Sequence, residues 1–117
     1  MSISNKYKNT HTELYIVAAI LILFMLFTNK LIIVRVSGFS MEPTYHEGQI
    51  VTLARFKADK MKVETGDIIL YRHDEDIVLH RVYEVKEDGT IITKGDAFEN
   101  IDSYTLTIDD VIGLSKY

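Results

Sequence analysis

The chain has 117 residues, 47% hydrophobic and 26% charged, with no cysteine; that is room for one domain plus a short appendage and is too apolar for a disordered tail. The missing cysteine excludes disulfides, thiolate metal sites and a cysteine nucleophile, and suits an oxidising compartment. The net charge of −4 conceals an asymmetry: residues through Arg35 hold four Lys/Arg against Glu13 alone, and the remainder nine against sixteen Asp/Glu, so the body lacks the basic footprint that nucleic-acid binding needs.

In chain order, the first element is Leu14–Phe27, LYIVAAILILFMLF, fourteen residues without a charge. As a helix it would measure about 21 Å, against roughly 30 Å for a hydrocarbon core. It is apolar on every side, which disfavours a surface helix packed on a core, and no small-residue cleavage site follows it. Thr12 and Thr28 are tolerable inside a helix, Lys30 can snorkel, and Tyr15 sits where an interfacial aromatic belongs. Residues 12–30 are therefore expected to form a retained transmembrane anchor in the lipid bilayer, after a tail at 1–11 and before a folded body at 31–117. Lys6 and Lys8 oppose Lys30 and Arg35, so charge leaves the orientation open.

Beyond the anchor the pattern changes to short runs of Ile, Val, Leu and Tyr bounded by turn residues. Strands are predicted at Leu31–Val36, Gln49–Arg55, Asp67–Arg72, Ile77–Lys86, Thr90–Lys94 and Asp110–Leu114. Asp88-Gly89 is a hairpin signal, and His73-Asp74-Glu75-Asp76 is a polar connection fit to close another. The predicted fold is mainly β: a compact barrel-like domain of short antiparallel strands after a single N-terminal helix.

Three places carry candidate chemistry. In Ser37-Gly38-Phe39-Ser40-Met41-Glu42-Pro43-Thr44, Gly38 permits close backbone approach and Pro43 fixes the chain after Ser40, as a rigid nucleophile requires; a plain polar turn has the same composition. In the strand around His80, alternation puts Val78, His80 and Val82 on one face, giving either a packed histidine or a half-buried general base. Asp96 and Asp102 follow a strand end, where they are either a solvated acidic loop or carboxylates able to orient an imidazole.

Taken together and in this order, these residues resemble the type I signal peptidase family. Ser37 to Thr44 resembles its serine box, continued by Gly48 and the strand after it; Gly66-Asp67-Ile68-Ile69 resembles its second block. His80-Arg81-Val82 and Lys94-Gly95-Asp96 resemble the third and fourth, so the likeness covers most of Val36 to Leu114. The common bacterial branch has a lysine where this chain has His80, so the likeness is to the endoplasmic-reticulum, archaeal and sporulation-type branch with its Ser, His and Asp. Two departures stand out. Gly38 occupies a place where the family often has a serine that helps form the oxyanion hole, leaving the Ser40 backbone N–H as donor. Ala97-Phe98-Glu99-Asn100 replaces the usual asparagine-rich stretch.

The resemblance implies a membrane-anchored serine endopeptidase that removes signal peptides from exported preproteins. Ser40 would be nucleophile, His80 base and Asp102 the first choice to orient it, with Asp96 supporting the loop or sharing that role. Gly38, Phe39 and Met41 would line the substrate site. It implies no cofactor and no metal, a cytoplasmic tail, an extracytoplasmic body, preprotein signal peptides as substrates and the secretion translocon as a candidate partner. Because imidazole titrates near pH 6.5, activity should fall at acid pH. The alternatives are a self-cleaving repressor-type serine protease, which shares the serine signature but uses lysine as its base, and a non-catalytic relative that assists assembly of surface structures; proteins of the latter kind lose the serine or the base, and this chain keeps both.

Overall fold

The computed structural model describes residues 3–116, with side chains described for 10–25 and 27–116. The chain divides into two compact units, Met1–Lys30 and Leu31–Tyr117. The first is one helix, α1, Ile3–Thr28. It ends where Thr28 Oγ1 and Asn29 N–H both donate to the Met25 carbonyl and Lys30 N–H donates to Phe27; the run Leu31-Ile32-Ile33-Val34 that follows favours an extended chain.

At 1.5 Å per residue, the 26 residues of α1 measure about 39 Å, but the charge-free part is only Leu14–Phe27. Among the described residues no helix is long and apolar enough to cross a membrane. The single transmembrane helix expected at 12–30 is thus present as a helix and not as a demonstrated span. The physical reason is the short apolar stretch, with Glu13 at one end and Asn29-Lys30 at the other. The described Leu, Ile, Val, Phe and Met side chains of 14–27 are all exposed.

The second unit is a six-stranded antiparallel sheet. Its strands are β1 Leu31–Arg35, β2 Ile50–Arg55, β3 Ile68–His73, β4 Asp76–Val85, β5 Ile91–Lys94 and β6 Val111–Ser115, in spatial order β1-β2-β6-β3-β4-β5. All six lie within one residue of the predicted spans. The sheet is open, with β1 and β5 as its ends, so the barrel-like closure expected from strand spacing does not occur. Closure would need the outer edge of β5, and that edge is taken by Leu106, which bridges Ile91. A single 3-10 turn at Ile108–Asp110 precedes β6, where the sequence suggested strand from Asp110; Asp110 instead accepts a hydrogen bond from Thr107 N–H at 2.9 Å.

Two features of the sheet position the site. The first is β3, whose Ile68, Ile69, Leu70 and Tyr71 are all buried. Successive residues face opposite sides of a strand: Ile69 and Tyr71 join a cluster with Val63, Val82, Ile91, Leu106, Val111 and Leu114, while Leu70 joins Val51 and Leu53. The second is the two-residue connection, Asp74-Glu75, from β3 to β4. Asp74 adopts φ +51, and the register sets His73 opposite Asp76, Tyr71 opposite Val78 and Ile69 opposite His80. His80, Ile69 and Tyr71 therefore share a face. The Asp88-Gly89 hairpin closes β4 on β5 as expected, with Gly89 at φ +90.

Candidate active site

The serine lies on the connection from β1 to β2. The ladder continues past the ends of both strands, with Val36 N–H donating to Gln49 and Gly48 N–H to Val36, so the loop is pinched at its base. Gly38 turns the chain at φ +84, a left-handed conformation that glycine adopts without steric cost. The Glu42 and Tyr45 N–H groups donate back to Phe39 and Met41, and the Met41 side chain, 1% exposed, plugs the loop into the body. Ser40 is held from the far side too, because its carbonyl accepts the Ala97 N–H at 3.0 Å.

His80 is buried on β4. Its Nδ1–H donates to Asp102 Oδ2 at 2.7 Å, which leaves Nε2 free of a proton and able to accept from Ser40 Oγ at 3.1 Å. Asp102 is set by Thr93 twice over: its N–H donates to the Thr93 carbonyl at 2.8 Å, and its Oδ2 accepts from the Thr93 hydroxyl at 2.6 Å. Ser40, His80 and Asp102, far apart in sequence, thus form one hydrogen-bonded line. Such a geometry is able to pass a proton from a hydroxyl to an imidazole while a fixed carboxylate holds the ring.

Asp96 is not part of that line. Its two oxygens accept Arg81 Nε at 2.9 Å and Nη2 at 2.8 Å, and Oδ2 also accepts from Thr44 Oγ1 at 2.6 Å. Arg81 Nη1 donates in turn to the Gly66 carbonyl. The carboxylate ties the serine loop, β4 and the Gly66 turn together, which gives the second, third and fourth sequence blocks a shared structural reason. Hydrogen bonding from Arg81, followed by Thr44, holds Asp96 below the usual carboxylate range against the opposing effect of burial. A depressed folded-state pKa contributes stability that is present above about pH 4 and lost as pH falls through the lower folded value. Asp96→Asn should therefore melt lower than wild type near neutrality and lose less on acidification below about pH 4; thermal melts across that range test it, and parallel curves would contradict it.

The remaining predicted residues are distributed as follows. A cavity of about 260 Å³ is lined by residues including Val34, Val36, Ser37, Ser40, Met41, Leu70, Ile77 and Leu79. Met41 therefore faces the expected substrate site, whereas Phe39, 66% exposed, and Gly38 are not on its wall. The Lys94 amine, an alternative base by residue type, is held by the Gly95 and Phe98 carbonyls. His46 pairs with Glu42 at the surface.

Sequence reasoning gave no role of their own to several residues around the line: Gly95, Thr93, Tyr71 and Tyr104. A Cβ on Gly95 would lie 2.7 Å from the Ser40 carbonyl oxygen, 3.0 Å from Phe98 and 3.2 Å from His80 Nε2. Only glycine allows the turn after β5 to come this close to Ser40 and His80 together. The Lys-Gly-Asp block pointed to the position, but without the fold it did not say what the glycine was for.

Comparison with known families bears on this arrangement. The family model described as Peptidase S24-like matches residues 5–111. The chain belongs to that family. This Peptidase S24-like protein is also similar to signal peptidase complex catalytic subunit SEC11C of Homo sapiens, Mus musculus and Canis lupus familiaris, at 39% identity over 71 residues, covering 56% of this chain and 35% of each relative. It thus matches about a third of the length of those relatives. No solved structure matches it. The two findings bear out the signal peptidase likeness, of the endoplasmic-reticulum type, read from the four blocks.

Proposed function

We propose that the protein is a membrane-associated serine endopeptidase that removes signal peptides from exported preproteins, with Ser40 as nucleophile, His80 as base and Asp102 orienting it. The observation that carries this reading is the line Ser40 Oγ–His80 Nε2–Asp102, at 3.1 and 2.7 Å, opening on a cavity beside Ser40. Neutral His80 takes the Ser40 proton as Oγ attacks the scissile carbonyl. The new oxyanion is stabilised by the Ser40 backbone N–H. The tetrahedral intermediate collapses to an acyl-enzyme as imidazolium gives its proton to the leaving amine. His80 then deprotonates a water that hydrolyses the ester. Asp102 holds the ring through Nδ1 and stabilises the imidazolium. A cavity of this size with apolar walls suits the short side chain that precedes a cleavage site.

Association with the bilayer rests on α1. Fourteen successive charge-free residues, exposed on all described sides, are unfavourable in water at roughly 25 cal/mol per Å² of apolar surface and find an apolar surround in lipid. On this reading residues 12–30 are the anchor, 1–11 a cytoplasmic tail and 31–117 an extracytoplasmic catalytic domain. Ser40 follows Lys30 by about ten residues, and at no more than about 3.5 Å each the nucleophile stays near the headgroups. Signal peptides arrive there with their apolar part in the membrane, at high effective concentration.

The test is incubation of the purified full chain, in detergent, with preproteins carrying signal peptides, and N-terminal sequencing of the products. Cleavage at the end of the signal peptide is expected. No cleavage of any of several preproteins would put the non-catalytic reading first.

Gly95 supplies a further prediction. Because a methyl group there would push the 95–98 turn against Ser40 and His80, Gly95→Ala should lower kcat by about a hundredfold, the scale of a 1 Å misplacement. Turnover measured beside the melting temperature checks it, and near wild-type kcat would mean that the turn moves freely.

A further inference from the structure

Behind Asp102 the line continues into the body of the sheet. The Tyr71 hydroxyl lies 3.3 Å from Asp102 Oδ2, 3.3 Å from Thr93 Oγ1 and 3.4 Å from His80 Nδ1. It is 2.7 Å from the Tyr104 hydroxyl. Tyr104 in turn stacks on His73, ring centroids 3.6 Å apart and planes at 11°. Tyr71 itself is fully buried on β3, on the face that carries His80.

Counting protons decides who donates. The His80 Nδ1 proton goes to Asp102 at 2.7 Å and the Thr93 hydroxyl proton to the same oxygen at 2.6 Å. A carboxylate has no proton to give, so the contact between Tyr71 and Asp102 exists only if Tyr71 donates. Its own oxygen is then free to accept from Tyr104. Burial pushes the Tyr71 phenol well above the ordinary tyrosine range, and burial raises Tyr104 as well, so both keep their protons at any pH at which the protein works. One set of donations fits the contacts to Asp102 and the short tyrosine pair: Tyr104 to Tyr71, and Tyr71, Thr93 and His80 to a single oxygen of Asp102, the 3.3 and 3.4 Å approaches of Tyr71 to Thr93 and His80 then carrying no proton between them.

We propose that Tyr71, oriented by Tyr104, is a positioning residue of the Ser40–His80–Asp102 site: it supplies the third hydrogen bond to Asp102 Oδ2 and so tempers how strongly that carboxylate holds a protonated His80. This rests on the serine-peptidase reading above. An oxygen with three donors shares its charge among them. With the Tyr71 donor removed, more of that charge falls on the imidazolium, which becomes harder to deprotonate. The groups facing this network are Tyr71 from β3, His80 from β4, Thr93 from β5, and Asp102 and Tyr104 from the segment after β5. His73 and the Asp74 beside it close the far end.

The experiment is preprotein cleavage by the full chain in detergent across pH, with Tyr71→Phe, Tyr104→Phe, the double variant and Ser40→Ala in parallel. Tyr71→Phe keeps the ring that fills the core and removes only the hydroxyl. It should lower kcat roughly tenfold, the scale of one hydrogen bond to a charged group, with KM unchanged because the residue is buried. The acid limb of its pH–rate profile should move to higher pH. Tyr104→Phe should give a smaller loss of the same kind, and the double variant should be no slower than Tyr71→Phe, because Tyr104 acts through Tyr71. An unchanged kcat, or a loss without a moved acid limb, overturns the proposal, and additive losses overturn the relay from Tyr104. A Ser40→Ala chain as active as wild type would instead overturn the serine-peptidase reading; an inactive Ser40→Ala beside an unaltered Tyr71→Phe would overturn this inference alone.

Discussion

Ser40→Ala and His80→Ala should each lower turnover of a preprotein by about a million-fold, and the double substitution should be no worse than either alone. The hydroxyl is useless as a nucleophile at neutral pH without a base, and the base has nothing to activate without the hydroxyl, so the pair acts as one device. Ser40 Oγ and His80 Nε2 are 3.1 Å apart, within reach for direct proton transfer and with no need of an intervening water. Single-turnover assays with enzyme in excess have the range to see such a loss. Additive effects, or a histidine variant with substantial activity, would mean that His80 merely packs against the serine loop and that another group is the base.

The second large effect expected is at Asp102, and the choice of replacement matters. Asp102→Ala should lower kcat by about ten-thousand-fold, because it removes both the charge that steadies imidazolium and the acceptor that keeps the proton on Nδ1. Asp102→Asn should be milder. In many sites of this type an amide turns its NH₂ toward the histidine and forces the wrong tautomer. Here His80, Thr93 and Tyr71 all donate to Oδ2, so the amide oxygen is drawn to that position and the NH₂ to the other. The tautomer is kept and only the charge is lost. Comparing kcat of the two variants tests this directly: equal losses, or a worse asparagine, would show that the three donors do not fix the amide.

Much of this was legible before the fold was known, for identifiable reasons. The strands follow from alternation of apolar residues and from turn chemistry such as Asp88-Gly89, which are local properties. The openness of the sheet was not legible, because it depends on Leu106 capping the edge of β5, a contact between segments with no mark in either. Ser40 and His80 were singled out through the order of four blocks, and Asp102 through the likeness to the Ser, His and Asp branch; each one alone is an ordinary turn, strand or loop residue. The carboxylates were separable only in three dimensions, since nothing local says that Asp96 will meet Arg81 and Thr44. Tyr71 was missed for a different reason. The short His73–Asp76 connection fixes the register of β3 on β4, and that register sets Tyr71 on the face of His80; the signal was present, but a tyrosine in an apolar strand reads as core.

Burial of β3 on both sides has a consequence for anyone wishing to change which peptides are cut. Leu70 forms part of the cavity wall beside Ser40, while its neighbour Tyr71 reaches the carboxylate behind His80. On the proposed function, one strand would serve specificity on one face and proton management on the other, with a single peptide unit between them. Enlarging the cavity at Leu70 would let β3 relax, and the base would feel it. Ile77 on the same wall is 52% exposed near the start of β4, so its side chain is not packed on both sides as Leu70 is. Variants that accept bulkier residues at the cut should therefore be sought at Ile77 and Val34, and those at Leu70 should trade turnover for breadth.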